Sequence, residues 1–98
     1  QSLQYTLATH GEKAAELAIT YFGSDTGRTF DILVNGIVIA TETLKGEKPD
    51  EFFEKTYPIP GQAMGKAVNG RITVKFVAKQ WVAGGIYGLR LMRANAPQ

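Results

Sequence analysis

The chain has 98 residues, 44% of them hydrophobic and 10% aromatic, with a formal net charge of +2. That length holds one domain, and the apolar content removes it from the disordered class. The absence of cysteine excludes a disulfide scaffold, a thiolate zinc site and a cysteine nucleophile.

The start of the chain, Gln1-Ser2-Leu3-Gln4, has neither the basic nor the apolar stretch of a signal peptide and no initiator Met, which suggests a piece of a longer protein. Apolar and polar residues then alternate. Leu3, Tyr5 and Leu7 share one side, with Gln4 and Thr6 on the other, the period of a half-buried strand. His10-Gly11 reads as the first turn. Ala15, Leu17, Ile19 and Tyr21 line one face of the next strand, with Glu16 and Thr20 opposite. After a glycine-bounded turn at 23–27, strands over 28–34 and 37–44 flank Asn35-Gly36. An Asn-Gly pair between two β-branched runs signals a type I′ hairpin, whose central residues both need positive φ. A fifth strand covers 51–57, and residues 59–65 have room for one helical turn before Gly65. In 71–79, Ile72, Val74, Phe76 and Ala78 point inward while Arg71, Thr73, Lys75 and Lys79 point outward. A last strand spans 85–93. About seven short strands and almost no helix predict an all-β domain, an antiparallel β-sandwich with jelly-roll or galactose-binding-like connections.

Charge is distributed unevenly. All nine acids lie at or before Glu54, while the chain beyond it carries seven Lys and Arg. One-sided charge can attract nucleic acid, but the basic residues alternate with apolar ones, so a solvated strand face is the better reading and no nucleic-acid partner is expected. No apolar run approaches the roughly 20 residues of a membrane helix, so no membrane span is expected.

Residues capable of chemistry are few. His10 is the only histidine, too little for a triad or an imidazole metal site. Asp25 and Asp50 are the only loop aspartates, which argues against a calcium cage, so no metal and no cofactor is expected. The glycines at 84, 85 and 88 lack the strand–loop–helix setting of a phosphate loop and better suit a bend with close backbone approach. Trp81, the single tryptophan, is either a lid on the core or a stacking platform. Arg90, in an otherwise apolar strand, reads as partly buried, and a buried guanidinium needs a carboxylate. Asp31 is the expected partner.

Three stretches, 21–36 (YFGSDTGRTFDILVNG), 52–60 (FFEKTYPIP) and 83–90 (AGGIYGLR), resemble one module over about residues 5–93. It is the C-terminal domain of unknown function on secreted Bacteroidetes proteins related to the β-L-arabinofuranosidase family of glycoside hydrolases. The resemblance implies a galactose-binding-like sandwich that follows a helical-barrel catalytic domain, with the catalytic residues in that barrel and none here. It implies a secreted or periplasmic setting and, as partners, the parent's own catalytic domain and a plant or host polysaccharide. Two roles follow. The favoured one is structural packing on the catalytic domain or a second subunit, with no ligand bound. The alternative is carbohydrate binding, with Trp81, Tyr21 or Tyr87 stacking a sugar ring and Arg28, Asp31 or Arg90 bonding its hydroxyls. An exposed aromatic beside polar side chains at a loop end would favour the second.

Overall fold

The computed structural model describes residues 2–24, 26–80 and 86–94. Seven strands and one helical turn follow in order: β1 (Ser2–Ala8), β2 (Ala15–Phe22), β3 (Thr26–Val34), β4 (Ile37–Lys45), β5 (Phe52–Ile59), α1 (Gly61–Met64), β6 (Arg71–Gln80) and β7 (Gly88–Arg93). They form two antiparallel sheets, β1-β6-β3-β4 and β5-β2-β7. Apart from the β3–β4 hairpin, every connection passes from one sheet to the other. The fold is therefore the expected β-sandwich with jelly-roll-like crossings.

The alternation in the sequence accounts for the core. Ala15, Leu17, Ile19 and Tyr21 of β2 meet Phe30, Ile32 and Val34 of β3 and Ile72, Val74 and Phe76 of β6, all nearly or wholly excluded from solvent. Ala63 and Met64 of α1 close one end. As a central strand, β2 is buried on both sides at Ala18 as well.

The hairpin forms as expected, with φ of 51° at Asn35 and 83° at Gly36. Asn35 does more than turn the chain. Its amide Nδ2 donates to the Ala63 carbonyl (2.9 Å), and its Oδ1 accepts from the Thr73 N–H (2.9 Å). One side chain thus ties the hairpin to α1 and β6. The fifth strand runs two residues further than its alternation indicated, through Pro58 to Ile59. That proline is tolerated because β5 is an edge strand, where a missing N–H breaks no ladder. The last strand begins later than predicted, at Gly88.

Four ion pairs among the described residues offset part of the uneven charge of the sequence. Lys55 pairs with Glu42 (2.8 Å), Lys79 with Asp31 (3.6 Å), Arg90 with Glu54 (3.0 Å) and Arg93 with Glu12 (2.9 Å). In each pair an acid from the first 54 residues meets a base that follows it.

Candidate functional site: an aromatic cluster on the outer sheet face

Two adjacent aromatic pairs determine the chemistry of the β5-β2-β7 sheet. Successive strand residues point to opposite faces, so Tyr21-Phe22 and Phe52-Phe53 each send one ring inward and one outward. Antiparallel pairing sets Tyr21 opposite Phe53 and Phe22 opposite Phe52. The inner rings stand 5.7 Å apart and the outer rings 5.1 Å.

A third outer ring comes from Tyr87, just before β7. Its centroid lies 5.2 Å from Phe52 and 6.2 Å from Phe22. The Tyr87 N–H donates to the Thr20 carbonyl (2.9 Å), which fixes the chain beside β2. Gly88 permits this approach, because a Cβ there would meet Thr20 Oγ1 at 2.8 Å. Phe52 is 59% exposed, Tyr87 53%, and Phe22 is half-buried between them. The neighbouring loop is anchored. Gly23 N–H donates to the Glu51 carbonyl (2.7 Å), the Asp50 N–H donates to Ser24 Oγ (2.7 Å), and Ser24 Oγ donates to the Asp50 carboxylate (3.3 Å). Gly23 is pressed so closely on Lys48 that a Cβ would overlap its carbonyl.

Two residues further along β2 and β5, about 7 Å away, is a polar rung. Arg90 Nε and Nη2 donate to the two oxygens of Glu54 at 3.0–3.3 Å. Arg90 lies on β7 and Glu54 on β5, so the pair crosses over β2, where Ala18 and Thr20 lie between them. Both side chains remain open to solvent. The face thus joins exposed rings to hydrogen-bonding groups.

The other polar assembly is inside. Tyr21 Oη and Tyr57 Oη share a 2.8 Å hydrogen bond, and Tyr57 Oη donates to Glu42 (2.6 Å). Lys55 and the Thr43 N–H also reach the Glu42 carboxylate. Burial alone would raise the Glu42 carboxyl. The bonds from Lys55 and Tyr57, with the Lys55 charge and the Thr43 N–H, overcome that and hold it below the ordinary range. Burial drives both phenols far above theirs, and for Tyr57 the bond to Glu42 adds to the rise. This network links β4 to β5 where the two sheets meet at one edge, beneath a small depression that includes Gly23, Leu44 and Phe53. It is fully satisfied: among the described residues no buried side-chain polar atom lacks a partner.

The six site residues expected from sequence are scattered. Tyr87 and Arg90 come together on the outer face just described. Tyr21 is 0% exposed, so it presents no ring face to a ligand; its position on the inner side of β2, next to outward Phe22, is the reason. Arg28 lies over the Phe30 ring (5.4 Å), on the other sheet. Asp31 is on the outer face of that same sheet, where it accepts a bond from Thr41 Oγ1 (2.6 Å) and faces Lys79. The expected Asp31–Arg90 pair does not form. The two residues sit on different sheets, and Arg90 points outward with 60% of its side chain exposed rather than inward. Trp81 lies outside the described residues, as does Asp25.

Phe22, Phe52 and Glu54 were not expected from sequence. The signal was there, since two adjacent aromatics in a strand oblige one of them to face outward. Among the described residues, no three His, Asp or Glu side chains converge in a metal-binding arrangement, and no helix is long and apolar enough to cross a membrane.

The chain belongs to the family of unknown function DUF6805, which matches residues 1–92. No curated protein matches the sequence. Among solved structures, the fold is similar to that of a family 35 carbohydrate binding module from an environmental isolate. The TM-score is 0.62 at 19% identity, over 98% of this chain and 72% of the other. At that identity the likeness establishes a shared sandwich fold.

Proposed function

We propose that this domain is a non-catalytic carbohydrate-binding module whose site is the Phe22–Phe52–Tyr87 cluster with the Arg90–Glu54 rung beside it. The observation that carries this reading is the exposure of Phe52 and Tyr87 next to polar side chains at a loop end. Sugar rings are amphipathic. Their axial C–H groups suit the negative face of an aromatic ring, while their hydroxyls need directional donors and acceptors, which Arg90 and Glu54 supply. Exposed apolar clusters rimmed by polar groups are characteristic of binding surfaces. The likeness to a carbohydrate binding module supports the same reading.

In this proposal the domain is an accessory of a secreted or periplasmic polysaccharide-degrading glycoside hydrolase, the setting implied by the resemblance to proteins related to β-L-arabinofuranosidases. It holds substrate near a catalytic domain in the same parent chain and performs no hydrolysis itself. The packing role has one observation in its favour: Leu3 and Tyr5 on edge strand β1 are 40% and 38% exposed. That surface suits contact with another domain and is compatible with a separate sugar site.

Affinity electrophoresis in gels containing soluble plant polysaccharides tests the assignment. The domain is expected to be retarded by at least one of them, and Phe52→Ala and Tyr87→Ala, still folded by circular dichroism, are expected to migrate freely. Retardation of both variants equal to that of the parent would reject the site.

A further inference from the structure

We infer that this surface selects a neutral sugar ring of a soluble glycan, and disfavours both acidic sugars and crystalline polysaccharide. The inference rests on the carbohydrate-binding reading above and adds the class of ligand.

Charge on this face favours a neutral ligand. A uronate laid against the cluster needs a cation to replace the water its carboxylate loses, since an uncompensated charge against apolar surface is costly. Arg90 reaches over this face beside the rings, and Glu54 already engages it through three contacts of 3.0–3.3 Å, while Lys48 of the adjoining loop lies over the inner ring of Phe53 instead. The pair has no net charge. A sugar carboxylate that approached the remaining donors would gain little from a cation Glu54 already neutralises, and would be repelled by that carboxylate, an anion held on a strand. Hydroxyls face no such competition. The guanidinium has five N–H donors, and the bonds to Glu54 use only those on Nε and Nη2. The carboxylate keeps lone pairs for O–H donors.

The shape of the cluster excludes a flat crystalline ligand. The three rings are inclined to one another by 56°, 62° and 66°. No two are coplanar, so they cannot together lie flat on the face of a crystalline chain array. Their centroids are 5.1–6.2 Å apart, which concentrates the apolar contact on roughly one sugar ring. The cluster thus suits a single residue or chain end, with the polar rung reading the hydroxyls of that residue or the next.

Isothermal titration calorimetry with neutral arabino-, xylo-, manno- and cello-oligosaccharides against oligogalacturonate tests this. A neutral oligosaccharide is expected to bind at least tenfold more tightly than oligogalacturonate, with little response to added sodium chloride and with no retention on microcrystalline cellulose. Glu54→Gln, which frees the guanidinium, is expected to shrink that preference at least tenfold. Equal or tighter binding of oligogalacturonate by the parent domain, or strong retention on crystalline cellulose, overturns the inference while leaving a sugar-binding function in place. An unchanged preference in folded Glu54→Gln overturns the role given to the ion pair. If neither class of oligosaccharide binds, the carbohydrate-binding reading fails and the inference with it.

Discussion

The strands β2 and β5 carry two aromatic clusters back to back, built from neighbouring residues yet opposite in character. On the inner face, Tyr21 and Phe53 join Phe30 and, through it, Phe76, with successive ring centroids 5.7–6.1 Å apart. Tyr21 is wholly buried there, and its hydroxyl is satisfied by Tyr57. On the outer face, Phe22, Phe52 and Tyr87 pack at similar distances, but nothing among the described residues covers Phe52 or Tyr87. Spacing between rings therefore does not distinguish a core from a binding surface. The second sheet does, because it removes water from one side and leaves the other wet. The inner cluster is part of the core, and the outer one stays exposed, as the proposed site requires.

The sharpest way to break that contrast is to truncate one ring on each side. Tyr21→Ala removes a fully buried aromatic and leaves a cavity beside the Tyr57 hydroxyl, so it is expected to cost about 3–5 kcal/mol. Phe52→Ala, one strand away on the wet face, is expected to cost less than about 1 kcal/mol, as for surface substitutions in general. Urea denaturation of the two variants measures the difference. Equal losses would mean that the outer cluster is a second core rather than a site.

A smaller effect is expected at the hydroxyl network that links the inner cluster to β4. Tyr57→Phe keeps the ring but takes a donor from Glu42 and a partner from Tyr21, with an expected loss of about 1–3 kcal/mol. The pH dependence has a definite sign. The Glu42 carboxyl is held below its ordinary value in the fold, so its contribution is complete above about pH 4.3, the ordinary glutamate value, and is lost as pH falls through the lower folded value. The buried phenols Tyr21 and Tyr57 are raised in the fold. Their contribution is complete below about pH 10, the ordinary tyrosine value, and is lost as pH rises beyond it. Thermal melts across pH should show both flanks. Glu42→Gln should flatten the acid flank and, by removing one cause of the rise at Tyr57, soften the alkaline one; an unaltered acid flank would remove Glu42 from the account.

Much of the fold is visible in the sequence because period-two alternation reports directly on burial. Ala15, Leu17, Ile19 and Tyr21 identify a core face before any pairing is known, and Asn35-Gly36 identifies the hairpin through its demand for positive φ. The site is less visible, since it depends on register between strands distant in sequence. Phe22 meets Phe52 and Arg90 meets Glu54 only because β5 and β7 flank β2. The apolar neighbours Leu89 and Leu91 made Arg90 look buried, yet alternation alone turns it to the face opposite theirs. Followed through β7, the period of two puts Arg90 on the outer face and leaves Asp31 without it as a partner.

The smallest expected effect separates the two outer faces of the sandwich, each of which holds an ion pair. Asp31 faces Lys79 at 3.6 Å on the four-stranded sheet, and Glu54 binds Arg90 at 3.0 Å on the three-stranded one. The partner side chains Lys79 and Arg90 are 55% and 60% exposed, so water screens both pairs and holding long side chains in place offsets much of the attraction. Asp31→Ala and Glu54→Gln should therefore each lower stability by no more than about 1 kcal/mol, the range measured for exposed pairs. A loss of several kcal/mol at Asp31 would require a buried partner that its position on the outer face does not provide. In stability the two acids should look alike. In ligand preference only Glu54 should matter, because only Glu54 stands beside exposed rings. A change in sugar preference on replacing Asp31 would move the site to the four-stranded sheet and reverse the assignment of the two faces.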